Sequence, residues 1–182
     1  MWEKKLAADG SDGGNCTDAA QADRSVHCVN NTYIWSAGGG GGTAADGTLF
    51  TVFLHTLNNK CDGDETTQCD GDADCAVANG GPGGQFGFAG YRDWRLPEVD
   101  PPFGNVDTAE LETILLEPFP CGTSPCIDET IFGPTAASFY WSAITEEGVH
   151  FAAWLVSFDD GSFSPTLKRL AEFHARAVRS CP

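Results

Sequence analysis

Apolar positions along the chain follow two rhythms. Leu49, Phe50, Phe53, Leu54 and Leu57 recur at i, i+1, i+4, i+5 and i+8, which predicts an amphipathic helix of about three turns that stops at Asn58 and Asn59. A second helix is predicted over 108–116, with Thr108 as N-cap, Leu111, Ile114 and Leu115 on its buried face, and Pro118 beyond its end. Asp107, Glu110 and Glu112 load its first turns, as the helix dipole favours. Elsewhere the apolar runs are short and rich in aromatic and β-branched residues, so 1–7, 139–143, 149–158, 162–167 and 173–178 read as strands. Asp159-Asp160-Gly161-Ser162 has the Asp-Gly chemistry of a hairpin turn between two of them. Short antiparallel strands with two helices make an α+β fold. No Pro-, Gly- or Ser-rich stretch has sequence of domain size on both sides, so residues 1–182 are expected to form one domain.

Two aromatic blocks stand out against this pattern. Residues 87–97, Gly-Phe-Ala-Gly-Tyr-Arg-Asp-Trp-Arg-Leu-Pro, and 139–142, Phe-Tyr-Trp-Ser, set large rings beside small residues, the composition of a close-packed core joint. Trp94 and Trp141 are expected to be buried and to pack the blocks together, with Tyr91 a further buried ring. Gly90 permits a turn and Pro97 ends the strand that Trp94 begins. The alternating charges of Arg92, Asp93 and Arg95 predict ion pairs that hold this segment in place. Tyr33, Trp35 and Trp154 read as core rather than as sugar-stacking platforms, and Ile131 and Phe132 are expected to plug the turn-rich stretch 121–134 into the core.

Composition narrows the classes of function. Twenty-two glycines and ten prolines mean many turns, and the five glycines of 38–42 predict an exposed flexible loop. That loop lacks the Gly-Lys-Ser/Thr ending of a phosphate cradle. A net charge of −16 disfavours nucleic acid and anionic membranes as partners. No run of ~20 apolar residues exists to insert into a membrane.

Eight cysteines, an even number in a loop-rich acidic chain, predict disulfides and an oxidising, extracellular or cell-surface setting: Cys16, Cys28, Cys61, Cys69, Cys75, Cys121, Cys126 and Cys181. The rival zinc reading lacks the C-x2-C spacing, and His27, His55, His150 and His174 stand apart in sequence. Cys121 is expected to pair with Cys126, because Gly122 and Pro125 can close so short a loop, and Cys16 with Cys28, clamping a polar loop. Cys181 would tie down the tail. Export requires a leader, and no apolar stretch of signal-peptide length occurs, so residue 1 is expected to lie inside a longer precursor or to follow a leader already removed, and Met1 need not be an initiator.

The most chemically suggestive stretch is 61–75, Cys-Asp-Gly-Asp-Glu-Thr-Thr-Gln-Cys-Asp-Gly-Asp-Ala-Asp-Cys. Asp62, Asp64, Asp70, Asp72 and Asp74 offer hard oxygens on a loop that Gly63 and Gly71 let curl, the arrangement calcium prefers. An EF-hand is excluded, since Cys75 and Gly81 stand where that loop needs glycine and glutamate. The alternative is an acidic solvated loop pinned by disulfides.

In order, Met1-Trp2-Glu3-Lys4-Lys5, Asn31-Thr32-Tyr33-Ile34-Trp35-Ser36, residues 88–97, Tyr140-Trp141-Ser142, residues 153–161 and Arg176-Ala177-Val178-Arg179 resemble the C-terminal domain of bacterial collagen-like adhesins, the Lcl C-terminal domain. That family is similar to the C-type-lectin-like fold shared with formylglycine-generating enzymes. The resemblance implies one lectin-like domain with long disulfide-pinned loops and with 175–178 beside 1–7. It also implies a non-catalytic surface module that binds glycan or protein through its loops, or alternatively a structural subunit of an extracellular fibre or homo-oligomer. An oxidase like the formylglycine-generating enzymes is a remote third reading, because Cys69/Cys75 and Cys121/Cys126 sit in turns and match no motif of that enzyme. Gly-x-Ser-x-Gly and His-Glu-x-x-His are missing, and no catalytic residues are nominated.

Overall fold

The computed structural model describes residues 1–7, 16, 25–61, 64–68, 87–100, 109–117 and 120–180. Within them lie the strands β1 (Tyr33–Ile34), β2 (Lys60–Cys61), β3 (Asp64–Gln68), β4 (Phe139–Thr145), β5 (Ala152–Ser157), β6 (Phe163–Leu167) and β7 (Glu172–Phe173). β4, β5 and β6 form an antiparallel sheet in that order, β1 pairs with β7, and β2 pairs with β3. Pro165 is tolerated in β6 because that strand lies at an edge of its sheet, where a missing N–H breaks no second ladder.

The central sheet is apolar on both faces, and strand alternation divides the core in two. Trp141 and Leu155 point into a cluster with Tyr33, Trp35, Phe53 and Trp94. Their neighbours Tyr140 and Val156 point the other way, into a cluster with Leu111, Ile127 and Phe158. Trp94 and Trp141 are buried as predicted, and each indole N–H has a partner: Trp94 Nε1 donates to the Phe88 carbonyl at 2.9 Å and Trp141 Nε1 to the Tyr33 carbonyl at 2.7 Å.

The predicted first helix is present. Leu49–Leu54 wind as a π-helix and continue into α1 (His55–Asn59), burying Leu49, Phe53 and Leu57. Gly47 sits where this helix meets β1: its N–H donates to the Trp35 carbonyl at 2.9 Å, and a Cβ there would run into the Ile34 carbonyl.

The second helix differs from expectation. Only Leu111–Ile114 turn, as a 3-10 helix, because Leu115 goes extended (φ −76°, ψ 147°) to bridge Ile127. Leu111, Ile114 and Leu115 are nevertheless buried as expected, and Thr108 lies outside the described residues. A short helix forms instead at α2 (Glu129–Phe132), where the Asp128 side chain caps the Thr130 N–H at 2.9 Å. Successive residues of a helix point about 100° apart, and this short helix turns only Phe132 of the pair towards the core. Phe132 packs inward, and Ile131, expected in the core, is 64% exposed.

Residues 1–7 and 174–178 also form less regular strand than predicted, meeting through the isolated bridge Trp2↔Val178, while Leu6 bridges Cys28. They still lie side by side, with the Glu3 N–H on the Ala177 carbonyl at 3.0 Å. Both predicted disulfides are present: Cys16–Cys28 spans 5.3 Å between Cα atoms and Cys121–Cys126 spans 5.6 Å. Cys69, Cys75 and Cys181 lie outside the described residues, and Cys61 ends β2. No helix among the described residues is long and apolar enough to cross a membrane.

Candidate recognition surface

Most charged side chains that the structure describes near the two termini are used to close the fold. Glu3 is fully buried and accepts from Lys5 Nζ at 2.8 Å, from the Ala177 N–H at 3.0 Å, and contacts His27 Nδ1 at 2.9 Å. Burial alone would push this carboxyl up, but the charges of Lys5 and His27 and their hydrogen bonds outweigh it, and it falls from 4.5 to about 2. Lys5 also sits 4.5 Å from the centre of the Phe53 ring. Arg176, likewise buried, donates to the carbonyls of Glu3 at 3.0 Å and Phe132 at 2.8 Å and to Thr135 Oγ1 at 2.8 Å.

The charges of the central block serve the same end. Arg95 forms a two-pronged pair with Glu110, both contacts at 2.6 Å, and Arg179 Nε donates to Asp93 at 2.8 Å. Each pair fastens 91–95 to a different neighbour, as the alternating charges predicted. Tyr91 departs from expectation: it is 38% exposed and lies under the Arg179 guanidinium at 3.6 Å. With the chain reversing through Gly90 (φ 76°), Trp94 takes the inward place and Tyr91 the outward one.

A different surface forms where β5 begins and β6 ends. The glycine loop here is exposed but fastened: Asp46 Oδ1 accepts from Ser36 Oγ at 2.9 Å and the Ala37 N–H at 2.8 Å, and Oδ2 from the Gly39 N–H at 3.0 Å. Those donors hold the Asp46 carboxyl below its ordinary value, with the Ser36 hydroxyl contributing most. Left-handed Gly40, Gly41 and Gly42 let the loop curl (φ 60°, 73° and 93°). Beneath it, buried Lys168 donates to Thr145 Oγ1 at 2.8 Å and the His150 carbonyl at 3.0 Å and lies 5.0 Å from the centre of the Trp35 ring. Burial pulls the Lys168 ammonium below the usual lysine range. Around this pin, Phe151 is 49% exposed and Leu170 is 66% exposed.

Compared with known protein families, residues 1–179 match the Lcl C-terminal domain. The chain belongs to that family. No curated protein and no solved structure matches it, so the lectin-like relationship rests on the family resemblance alone. Membership marks this Lcl C-terminal domain as an extracellular, adhesion-related module, and its disulfides agree with an extracellular or surface location.

Within the Lcl C-terminal domain, the predicted calcium ligands fall mostly beyond what the structure describes. Asp62, Asp70, Asp72 and Asp74 lie outside the described residues, while Asp64 opens β3, paired with Cys61. Residues 64–68 are thus strand, not part of one continuous loop. The dipeptide Asp62-Gly63, a hairpin signal, and the β-branched Thr66 and Thr67 were the sequence cues for that ribbon. Among the described residues, no group of three or more His, Cys, Asp or Glu is arranged to hold a metal. The surface around Phe151 and Leu170 was not foreseen. The local pattern does not mark it: Phe151 keeps the alternation of Val149-His150-Phe151, and Leu170 is a single apolar residue after the basic pair Lys168-Arg169.

Proposed function

We propose that this Lcl C-terminal domain is a non-catalytic recognition module that binds glycan or protein through the surface formed by the glycine loop, Phe151 and Leu170. The observation that carries the reading is a curled loop fixed by Asp46 and joined through the Ser36 N–H to the Lys168 carbonyl, with exposed Phe151 bonded through its carbonyl to the Lys168 N–H and exposed Leu170 two residues beyond. The titratable groups with the strongest structural ties support it. Glu3, Asp93, Glu110 and Asp46 each hold backbone or a cation in place, which is the work of a scaffold rather than of proton transfer. Calcium bound by Asp62, Asp64, Asp70, Asp72 and Asp74 belongs to the same reading as a structural ion that would order the loop following β2.

A glycan array run beside a panel of immobilised extracellular-matrix proteins tests this. The expected result is saturable binding to one class of ligand, with Phe151→Ser/Leu170→Ser reducing it. No binding to either panel, together with discrete oligomers on a sizing column, would favour an assembly subunit instead.

A further inference from the structure

Tyr91 leaves a strained turn. Ala89 is the only non-glycine residue with a left-handed backbone among those described (φ 52°), and Gly87 and Gly90 are left-handed too (φ 81° and 76°). A residue with a Cβ disfavours that conformation, and such strain persists where the fold must hold a side chain in one place. The Gly90 N–H closes the turn on the Gly87 carbonyl at 2.9 Å, and the Tyr91 N–H on the Phe88 carbonyl at 3.1 Å. Gly87 lies against the Tyr91 carbonyl with no room for a Cβ, and its own N–H is anchored on the Lys60 carbonyl at 2.9 Å.

The ring is held as firmly as the backbone. The buried Arg179 guanidinium lies 3.6 Å from the ring centre, covering one face, and the same guanidinium donates from Nε to Asp93 Oδ1 at 2.8 Å and from Nη2 to Oδ2 at 3.3 Å. One cation thus brings an aromatic ring and a carboxylate together. Both still reach solvent, Tyr91 at 38% and the Asp93 side chain at 55%. Among the described residues nothing hydrogen-bonds the Tyr91 hydroxyl, and no second ring or cation meets its other face. The Arg179 hydrogen bonds hold the Asp93 carboxyl below its ordinary value, so at neutral pH it is an acceptor only. Arg92, between them in the chain, lays its Cγ 3.0 Å from where a Cβ on Gly87 would stand.

We propose that Tyr91 and Asp93 form a saccharide subsite for a neutral hexopyranose. The apolar face of the sugar stacks on the ring face opposite Arg179, while its hydroxyls donate to Asp93 and exchange hydrogen bonds with the Tyr91 hydroxyl. Because Asp93 only accepts and Arg179 is already paired with it, the subsite takes hydroxyl donors and rejects a sugar carboxylate or sulfate. It shares no residue with the surface of Phe151 and Leu170 and does not rest on the recognition assigned there. One stacked ring with a few hydrogen bonds on an open surface gives a Kd of about a millimolar, which titration in solution reads and a washed array does not.

Amide chemical-shift titration of the whole chain tests this, with the methyl glycosides of glucose, galactose, mannose and glucuronic acid as probes. Tyr91→Ala, Tyr91→Phe, Asp93→Asn and Phe151→Ser/Leu170→Ser provide the comparison, with circular dichroism to verify that each is folded. At least one neutral glycoside is expected to give saturable shifts at Gly90 to Asp93, and the glucuronide none. Tyr91→Ala should weaken binding by about tenfold or more and Asp93→Asn by several-fold, while Tyr91→Phe, which keeps the ring, retains most of it. No saturable shift with any of the three neutral glycosides up to about 100 mM, or binding unchanged in Tyr91→Ala, would overturn the proposal. So would a glucuronide that binds as well as the glucoside. Shifts that vanish in Phe151→Ser/Leu170→Ser but persist in Tyr91→Ala would leave the recognition reading standing and remove this subsite.

Discussion

Lys5 Nζ lies 2.8 Å from Glu3 Oε1, and neither side chain reaches solvent to any useful extent, with 3% and 0% exposure. A buried pair of this kind tolerates loss of one partner badly, because the other charge is left in the interior without compensation. Glu3→Gln is expected to lower the unfolding free energy at neutral pH by about 3 to 5 kcal/mol in urea titrations. Its pH dependence is the sharper test. The folded carboxyl lies at about 2 against an ordinary 4.5, so its stabilising contribution is complete above 4.5 and is lost as pH falls from there towards 2. Glu3→Gln should therefore flatten the acid limb of the stability curve. A variant with the wild-type slope between those values would show that Glu3 is not held as described.

Trp94 joins the first aromatic block to the core beneath β4, with its indole N–H satisfied by the Phe88 carbonyl and its ring 5.2 Å from that of Phe88. Trp94→Ala should cost about 3 to 5 kcal/mol by thermal or chemical unfolding, the range for a buried aromatic cut back to alanine. Tyr91→Ala, which removes a half-exposed ring, should cost much less. Equal losses in the two variants would contradict the division between inward Trp94 and outward Tyr91.

The two tryptophans were legible in sequence because a large ring beside small residues has few stable places outside a core, and the helix through Leu49, Phe53 and Leu57 was legible because its period is local. The errors have a common origin in tertiary pairing. Leu115 leaves its helix to bridge Ile127, and 174–178 are recruited by partners on both sides, His174 by Tyr140 and Val178 by Trp2 and Arg95. No window of local sequence encodes those partners. The cluster of Glu3, Lys5, His27 and Arg176 was hidden for the same reason, since its members are scattered over nearly the whole chain and are brought together only when the two ends meet. The disulfides Cys16–Cys28 and Cys121–Cys126 were readable because short separations and turn residues limit what each cysteine can reach.

The remaining four cysteines, Cys61, Cys69, Cys75 and Cys181, extend the same expectation to the whole chain. Thiol titration of the denatured, unreduced protein should give a value near zero. Two or more reactive thiols would reopen the metal reading of these residues.

Calcium at Asp62, Asp64, Asp70, Asp72 and Asp74 would offset the mutual repulsion of carboxylates held close together, and it would bind the native state in preference to the unfolded one. Isothermal calorimetry is expected to show heat on adding calcium, and the melting temperature should fall in EGTA. The absence of both effects would mean that these aspartates form a solvated acidic segment.

The proposed recognition at Phe151 and Leu170 differs from adhesion through any exposed apolar residue. Its most direct test is retention of domain-coated beads on whichever arrayed glycan or matrix protein the wild type binds. Phe151→Ser/Leu170→Ser should lower retention by about tenfold or more, while Ile131→Ser, a control at an equally exposed position on α2, should leave it unchanged. Retention that survives the double substitution would place binding elsewhere on the domain and overturn this assignment.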